Sequence, residues 1–383
     1  VRNDDTAPDV YVIGAGPAGL AAAAELDHAG LRARILDHGP EPGHVWRGHY
    51  DRLHLHTPRE LSHLPRLPIP RRFGRWVTRD DVARYLRGYA RILGLDIEQG
   101  VTVERLSRED AVWALDCADG VTRRAPFVVV ATGYNRTLVP PHVPGLESFT
   151  GRILISSDYR NGAEFAGTRV LVVGTGNSGM EIAVDLVEHG AKVQLAVRTP
   201  PHIVRRATGW WTAAHNGILI RHVPTAIANR IAAGMQRLTI PDLRPHGLAR
   251  PEEGLLTRVR RDRAIPVQDV GIVDAIRDGR VTPVAALAGF DGAEAVLADG
   301  TRLTPDAVVL ATGYRADLEP LVGHLALLDA SGLPIVRGGH TAPHAPGLWF
   351  TGFTNPISGM FREFRLDARK IARMARKEAA AKG

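Results

Sequence analysis

Gly14, Gly16 and Gly19 stand in G-x-G-x-x-G spacing, and Asp37 follows the first of them by a little over twenty residues. Each residue type suits one task at a dinucleotide. The first glycine allows a tight turn, the second admits backbone to a pyrophosphate, and the third lets a helix lie close on a strand. A carboxylate at that distance accepts a hydrogen bond from a ribose hydroxyl. It would also repel a 2′-phosphate, so this site suits FAD or NAD and not NADP. Gly174, Gly176 and Gly179 repeat the spacing in G-T-G-N-S-G. Here the position answering to Asp37 falls near Val197-Arg198, with no carboxylate. Arg198, with Arg205 and Arg206 close behind, offers a guanidinium to a 2′-phosphate, so the second site is expected to prefer NADPH over NADH.

The elements around these glycines are legible as patterns. Val10 to Ile13 has the length of a buried parallel strand, Leu20 to Leu26 reads as an Ala-rich helix, and Ala33 to Leu36 as the next strand. The helix would turn its free N–H groups and positive end to the phosphates. Val170 to Arg198 repeats strand, helix and strand. Phe127 to Tyr134 and Asp306 to Tyr314 are apolar strands that run into Ala131-Thr132-Gly133 and Ala311-Thr312-Gly313, turns small enough for backbone to press on a cofactor. Pro140 to Gly151 is a Pro/Gly-rich crossover. The predicted fold is α/β, with two Rossmann-like dinucleotide-binding domains, the NADPH domain inserted into the FAD domain. The FAD domain would comprise residues 1–150 and 310–383, and the inserted domain 151–309 with a helical segment at 200–254.

Other stretches carry weaker signals. Arg79 to Leu93 reads as a helix, and Val101 to Val103 and Ala111 to Asp116 as strands. Gly292 to Leu303 reads as a hairpin around Asp299-Gly300, and Arg258 to Ile265 as a basic, solvated run. Asp367 to Lys382 reads as a basic terminal helix that frays. In Thr199 to Gly254, Trp210, Trp211, Ile227, Ile231, Met235 and Leu238 fall at helical spacing between prolines. Core packing is the first expectation there, beside a lid or an apolar surface for a partner or membrane.

The 383 residues include one cysteine, Cys117, which excludes a dithiol redox pair and a cysteine-based zinc site. The net charge of +7 is carried almost wholly by arginine and is spread along the chain, unlike the stripe of a nucleic-acid binder. An anionic cofactor or substrate accounts for it. No apolar run spans a membrane and the first residues lack an apolar signal core, so a cytoplasmic address is expected; a homodimer is left open.

Residues 40–58 form a long loop rich in aromatic and histidine side chains. His54 and His56 alternate with Leu53 and Leu55, which sets both histidines on one face of an extended segment. No acid stands at ligand spacing beside them, so no metal is expected and His56 is read as facing flavin or substrate. Two nucleotide sites imply hydride transfer from NADPH to FAD. With no cysteine pair, the electrons would go on to dioxygen or to an external acceptor.

The chain resembles class B flavin monooxygenases of the flavin-containing monooxygenase type, most of all their plant YUCCA branch. The residues that carry the likeness are G-A-G-P-A-G at 14–19, W-R-G-H-Y-D-R-L-H-L-H-T-P at 46–58, G-T-G-N-S-G-M-E-I at 174–182, I-P-V-Q-D-V-G at 265–271 and A-T-G-Y at 311–314. The animal branch has Asn where His56 stands. The resemblance implies NADPH-dependent reduction of FAD, a C4a-(hydro)peroxyflavin, and insertion of one oxygen atom into a small substrate. That substrate would be a 2-oxo acid such as indole-3-pyruvate. N- or S-oxygenation of a soft nucleophile and an NADPH-dependent electron-transfer reductase are the alternatives. The implied FAD residues are Gly14, Gly16, Pro17, Ala18, Gly19, Asp37, His38, Trp46, Arg47, Leu53, His56, Val103, Ala131, Thr132 and Gly133, with His56 as the catalytic candidate. Those for NADPH are Gly174, Gly176, Asn177, Ser178, Gly179 and Arg198, with Ala311, Thr312 and Gly313 in the second turn. One departure stands out: the family fingerprint F-x-G-x-x-x-H-x-x-x-Y appears here with Ile155 in place of the histidine, between Gly151 and Tyr159. That exchange bears on how NADP⁺ is held.

Overall fold

A computed structural model describes residues 7–138, 143–263 and 265–382. The polar first residues and part of the crossover expected at 140–151 lie outside that range. Two five-stranded parallel sheets organise the rest. In the first, β1 (Val10–Ile13), β2 (Ala33–Asp37) and β3 (Asp96–Gln99) are joined by β4 (Phe127–Val130) and, from the far end of the chain, by a strand at Leu348–Phe350. All four residues of β1 and of β4 are buried, as expected of strands covered on both faces. β3 was not foreseen: D-I-E-Q has neither an apolar run nor full burial. The second sheet contains β5 (Arg152–Ile155), β6 (Arg169–Val173), β7 (Lys192–Val197), β8 (Val281–Ala285) and β9 (Ala307–Leu310). Its order is β8-β7-β6-β9-β5, and the first sheet's is Leu348–Phe350, β4, β1, β2, β3. In each sheet the strand that leads into Ala-Thr-Gly pairs directly with the strand that leads into the glycines.

Local signals set the helices. α1 (Pro17–His28) opens with proline at its first position, where the missing N–H costs nothing, and stops before Gly30 at φ +85. In α2 (Arg79–Leu93) the Thr78 hydroxyl caps the Asp81 N–H, Asp80 and Asp81 face the positive end, and Gly94 closes the helix in left-handed geometry. α3 (Asn177–Glu188) follows the second glycine run. Three-stranded meanders flank both sheets; the hairpin expected at 292–303 is part of the one at Leu287–Asp291, Glu294–Leu297 and Arg302–Leu303.

Three expectations are corrected. The last helix, α5 (Met360–Lys382), starts seven residues earlier than its basic pattern suggested, and it is no frayed tail. Ala368, Ile371, Ala372 and Ala375 are buried in one cluster with the alanine face of α1, and only the other face is basic. The arginines of 258–263 are not merely solvated: Arg258 donates to the Pro200 carbonyl, Arg261 pairs with Glu253 and Asp262, and Arg263 with Asp329. In α4 (Thr225–Thr239), Ala228 is the one fully buried residue, while Ile227, Ile231, Met235 and Leu238 are exposed, so core packing does not explain them.

Asp367 on α5 is pushed up to about 6, first by burial and then by Glu363, against the pull of Lys370, Arg337 and Arg221. A carboxyl whose folded pKa is raised binds its proton more tightly when folded. Stability therefore falls as pH rises through the window from about 4 to 6. Asp367→Asn is expected to stabilise the protein by about 1–3 kcal/mol at neutral pH, with the gain gone below about pH 4. Thermal melts of both proteins across that range check the sign.

Candidate functional site: two nucleotide cradles and the seam between them

The three glycines of the first cradle do different physical work. Gly14 has φ +110, and a Cβ there would stand 2.6 Å from the Ala131 carbonyl oxygen, so its smallness admits the Ala131-Thr132-Gly133 turn. A Cβ on Gly19 would lie 1.8 Å from the Gly14 oxygen, so this glycine brings α1 onto the loop. Gly16 faces open space, with nothing within 4 Å of its would-be Cβ. That opening lies at the start of α1, where free N–H groups suit a pyrophosphate. Asp37 is buried and accepts from the backbone N–H of Ala15 at 2.5 Å and of Gly39 at 2.7 Å. It therefore ties the glycine loop in addition to the ribose role expected of it. The hydroxyl oxygens of Thr132 and Thr351, at the carboxyl ends of two neighbouring strands, are buried and find no hydrogen-bond partner among the described residues. Unmet polar atoms at that end of a parallel sheet fit a bound flavin.

The second cradle has the same construction. A Cβ on Gly174 would stand 2.3 Å from the Ala311 oxygen, one on Gly179 2.0 Å from the Gly174 oxygen, and Gly176 is again open. Asn177 locks the loop in place: its amide donates to the Pro266 carbonyl at 3.3 Å and accepts from the Gln268 N–H at 2.9 Å. That gives the I-P-V-Q-D-V-G stretch a physical task. Arg198 leaves the end of β7 exposed, with no ion pair among the described residues. Arg206 does not join it. It turns instead into the seam between the two sheets.

The loop at 46–58 fills that seam. Trp46 packs edge-on against Phe361 and Arg47 pairs with Glu41 at 2.9 Å, both on the side of the first sheet. Tyr50 and Leu53 instead pack into the apolar cluster of the second sheet, so the Leu53 side chain serves the contact between the halves. Glu181, buried on α3, accepts from the Tyr50 hydroxyl at 3.0 Å, and its other oxygen meets His56 Nε2. Burial, then the Glu181 charge, holds the Tyr50 phenol well above its ordinary pKa. His38 sits edge-on to His44, and these two with Asp37 bring ligand atoms within 4.8 Å of one another, although Asp37 is already engaged by backbone. Val103 is a buried core side chain opposite Cys117.

A cavity of ≈ 600 Å³ opens at the seam, lined in part by His54, Trp76, Glu181, Arg206 and Asp269. The Arg206 guanidinium carbon lies 3.7 Å from the centroid of the Trp76 ring, and one of its nitrogens donates to the Leu55 carbonyl at 2.7 Å. Its Nε is buried with no hydrogen-bond partner among the described residues. Burial lowers its pKa to about 10; Glu181 opposes that and Arg75 adds to it. Arg75 itself is occupied by the carbonyls of Gly209 and Trp210. Glu181, Trp76 and Arg206 were not singled out for this cavity from sequence. The one available signal was an acid in N-S-G-M-E-I, on a helix otherwise buried at that level.

The fingerprint position differs from expectation in kind. Ile155 packs with Phe149, Leu171 and Val308 in an apolar cluster. Tyr159 is fully buried and donates to Asp185 at 2.5 Å, and Asp185 also accepts from the Gly162 N–H. In this chain the fingerprint holds the entry of the second sheet to α3.

The family model described as pyridine nucleotide-disulphide oxidoreductase matches residues 11–210. The chain is 34% identical over 358 residues to indole-3-pyruvate monooxygenase YUCCA1 of Oryza sativa subsp. japonica, covering 92% of this chain and 88% of that protein. It is 36% identical over 321 residues to YUCCA8 of Oryza sativa subsp. indica, covering 80% and 76%. Among solved structures it is similar to a flavin-containing monooxygenase from Stenotrophomonas maltophilia, with TM-score 0.74, 28% identity, and 97% and 99% of the two chains covered. Cyclohexanone monooxygenase, at 20% identity and TM-score 0.73, shares the fold. Two parallel sheets with paired glycine cradles and an open seam between them thus sit in a known lineage: the chain belongs to the YUCCA branch of the flavin-dependent monooxygenases, within the pyridine nucleotide-disulphide oxidoreductase family, and works with FAD and NADPH.

Proposed function

We propose that the substrate is a 2-oxo acid with an apolar or aromatic side chain, and that the product is the acid one carbon shorter. The observation that carries this reading is Arg206: a largely buried guanidinium, backed by Trp76 and met by one carbonyl, in the cavity beside Glu181, which in turn holds His56. A buried cation so little satisfied calls for an anion, and a carboxylate matches its fork. The rice relatives are named for indole-3-pyruvate, which joins such a carboxylate to an arene.

In this reading residues 1–150 and 310–383 hold FAD through Gly14, Gly16, Gly19 and Asp37, with Trp46, Arg47 and His56 around it. Residues 151–309 hold NADPH through Gly174, Gly176, Asn177, Ser178, Gly179 and Arg198. FAD, once reduced by NADPH, supplies the activation of dioxygen. The chain supplies position: Arg206 fixes the acid end, Glu181 orients His56 through Nε2, and Trp76 walls the cavity. The atoms balance as 2-oxo acid, dioxygen, NADPH and a proton giving the shortened acid, carbon dioxide, water and NADP⁺.

Flavin-loaded protein supplied with NADPH and indole-3-pyruvate or phenylpyruvate is expected to consume oxygen in step with carbon dioxide and arylacetate release. Full recovery of that oxygen as hydrogen peroxide, with thioethers or amines oxygenated instead, would overturn the reading. Arg206→Ala is expected to raise KM for the 2-oxo acid about tenfold to a hundredfold and leave flavin reduction by NADPH unchanged.

A further inference from the structure

We propose that the outer face of α4 seats this protein on an anionic lipid surface. The helix is turned opposite to an ordinary surface helix. Its inward stripe is small or polar: Ala228 is buried, the Asn229 side chain bonds Thr257 and the Leu256 N–H, and Gln236 donates to the Ile203 carbonyl. Its apolar residues point out. Ile227, Ile231, Met235 and Leu238 are 50%, 45%, 40% and 90% exposed. Their spacing sets them along one side of the helix, and Arg230 and Arg237, two turns apart and exposed, form a stripe beside them. The hydrogen bonds of the inner stripe fix this orientation, so the apolar side cannot turn inward without breaking them.

Charge decides between occupants. No acid occurs between Glu188 and Asp242, whereas Arg205, Arg230 and Arg237 do and have no ion pair among the described residues; Arg221 is already paired with Glu363. A second copy docked by a twofold axis would bring the arginine stripe against itself with nothing in the segment to neutralise it. A bilayer with anionic headgroups meets both features: apolar side chains enter the acyl boundary and the flanking arginines take the headgroup charge. Trp210, 72% exposed in the same segment, is of the type that favours that boundary. Among the described residues no helix is long and apolar enough to cross a membrane, so the contact is peripheral.

The test is sedimentation of the flavin-loaded protein with vesicles of phosphatidylcholine mixed with phosphatidylglycerol, against phosphatidylcholine alone. Binding to the anionic vesicles only, weakened by salt, is expected. The double variant Ile231→Glu with Leu238→Glu is expected to lower partitioning about tenfold or more. Arg230→Gln with Arg237→Gln is expected to abolish the preference for anionic lipid. Each variant counts only if its visible flavin spectrum matches the parent's. Protein that stays in the supernatant at low salt overturns the proposal, as does binding untouched by either pair. So does a dimer that the glutamate pair splits, which would assign the face to a second copy.

Discussion

Gly16→Val is expected to yield a folded, monodisperse and colourless protein, whereas Gly19→Ala, a smaller change, is expected not to fold stably. The difference follows from what each glycine faces. Gly16 lies at φ −76 and ψ 180, extended backbone that valine adopts readily, and its would-be side chain meets nothing. Valine there fills only the open space that a pyrophosphate would be expected to occupy. A Cβ at Gly19 would stand 1.8 Å from a backbone oxygen that cannot move without shifting β1 from α1. That overpacking costs upward of about 3 kcal/mol. Circular dichroism, elution volume and the flavin absorbance separate the two outcomes. A yellow Gly16→Val protein would show that the pyrophosphate lies elsewhere, and an aggregated one that Gly16 is itself structural.

The second large effect is at the other nucleotide. Arg198→Ala is expected to raise KM for NADPH about tenfold to a hundredfold and to leave NADH use nearly unchanged. The side chain is exposed just past the end of β7, free of ion pairs among the described residues, and stands one residue beyond Val197, the position that answers to Asp37 in the first cradle. A charge-assisted contact to a 2′-phosphate is strong but, at an exposed site, screened by salt, so the discrimination shrinks as ionic strength rises. Steady-state kinetics with both nucleotides at two salt concentrations check this. Equal losses for the two would remove Arg198 from the phosphate.

What could be read from sequence was whatever a short stretch fixes by itself. Glycines that must sit against a neighbouring carbonyl, apolar strands that run into Ala-Thr-Gly, and an acid or a guanidinium closing the second strand all act within one supersecondary unit. The seam was not legible in this way. Tyr50 and His56 meet Glu181 across more than a hundred residues of chain, and spacing says nothing about such a meeting until both sheets exist. Arg206 looked like a companion of Arg198 because the two are near in sequence, yet the turn after β7 sends it to Trp76 and Leu55. The periodicity of 227–238 gave a face but not its direction; Asn229 and Gln236, by bonding inward, set that. The last helix was read too short because its basic outer face was easier to see than the alanines beneath it.

The Glu181 carboxylate grips two residues of the opposite half while riding on the helix that follows the second glycine run. A rigid helix cannot shift at one end and stay still at the other. Any swing of one half against the other must therefore drag His56 and Tyr50 along or snap two buried contacts at once. That carboxylate works as one latch among several across the seam, beside the Arg52–Glu188 pair and the hold of Arg206 on the Leu55 carbonyl.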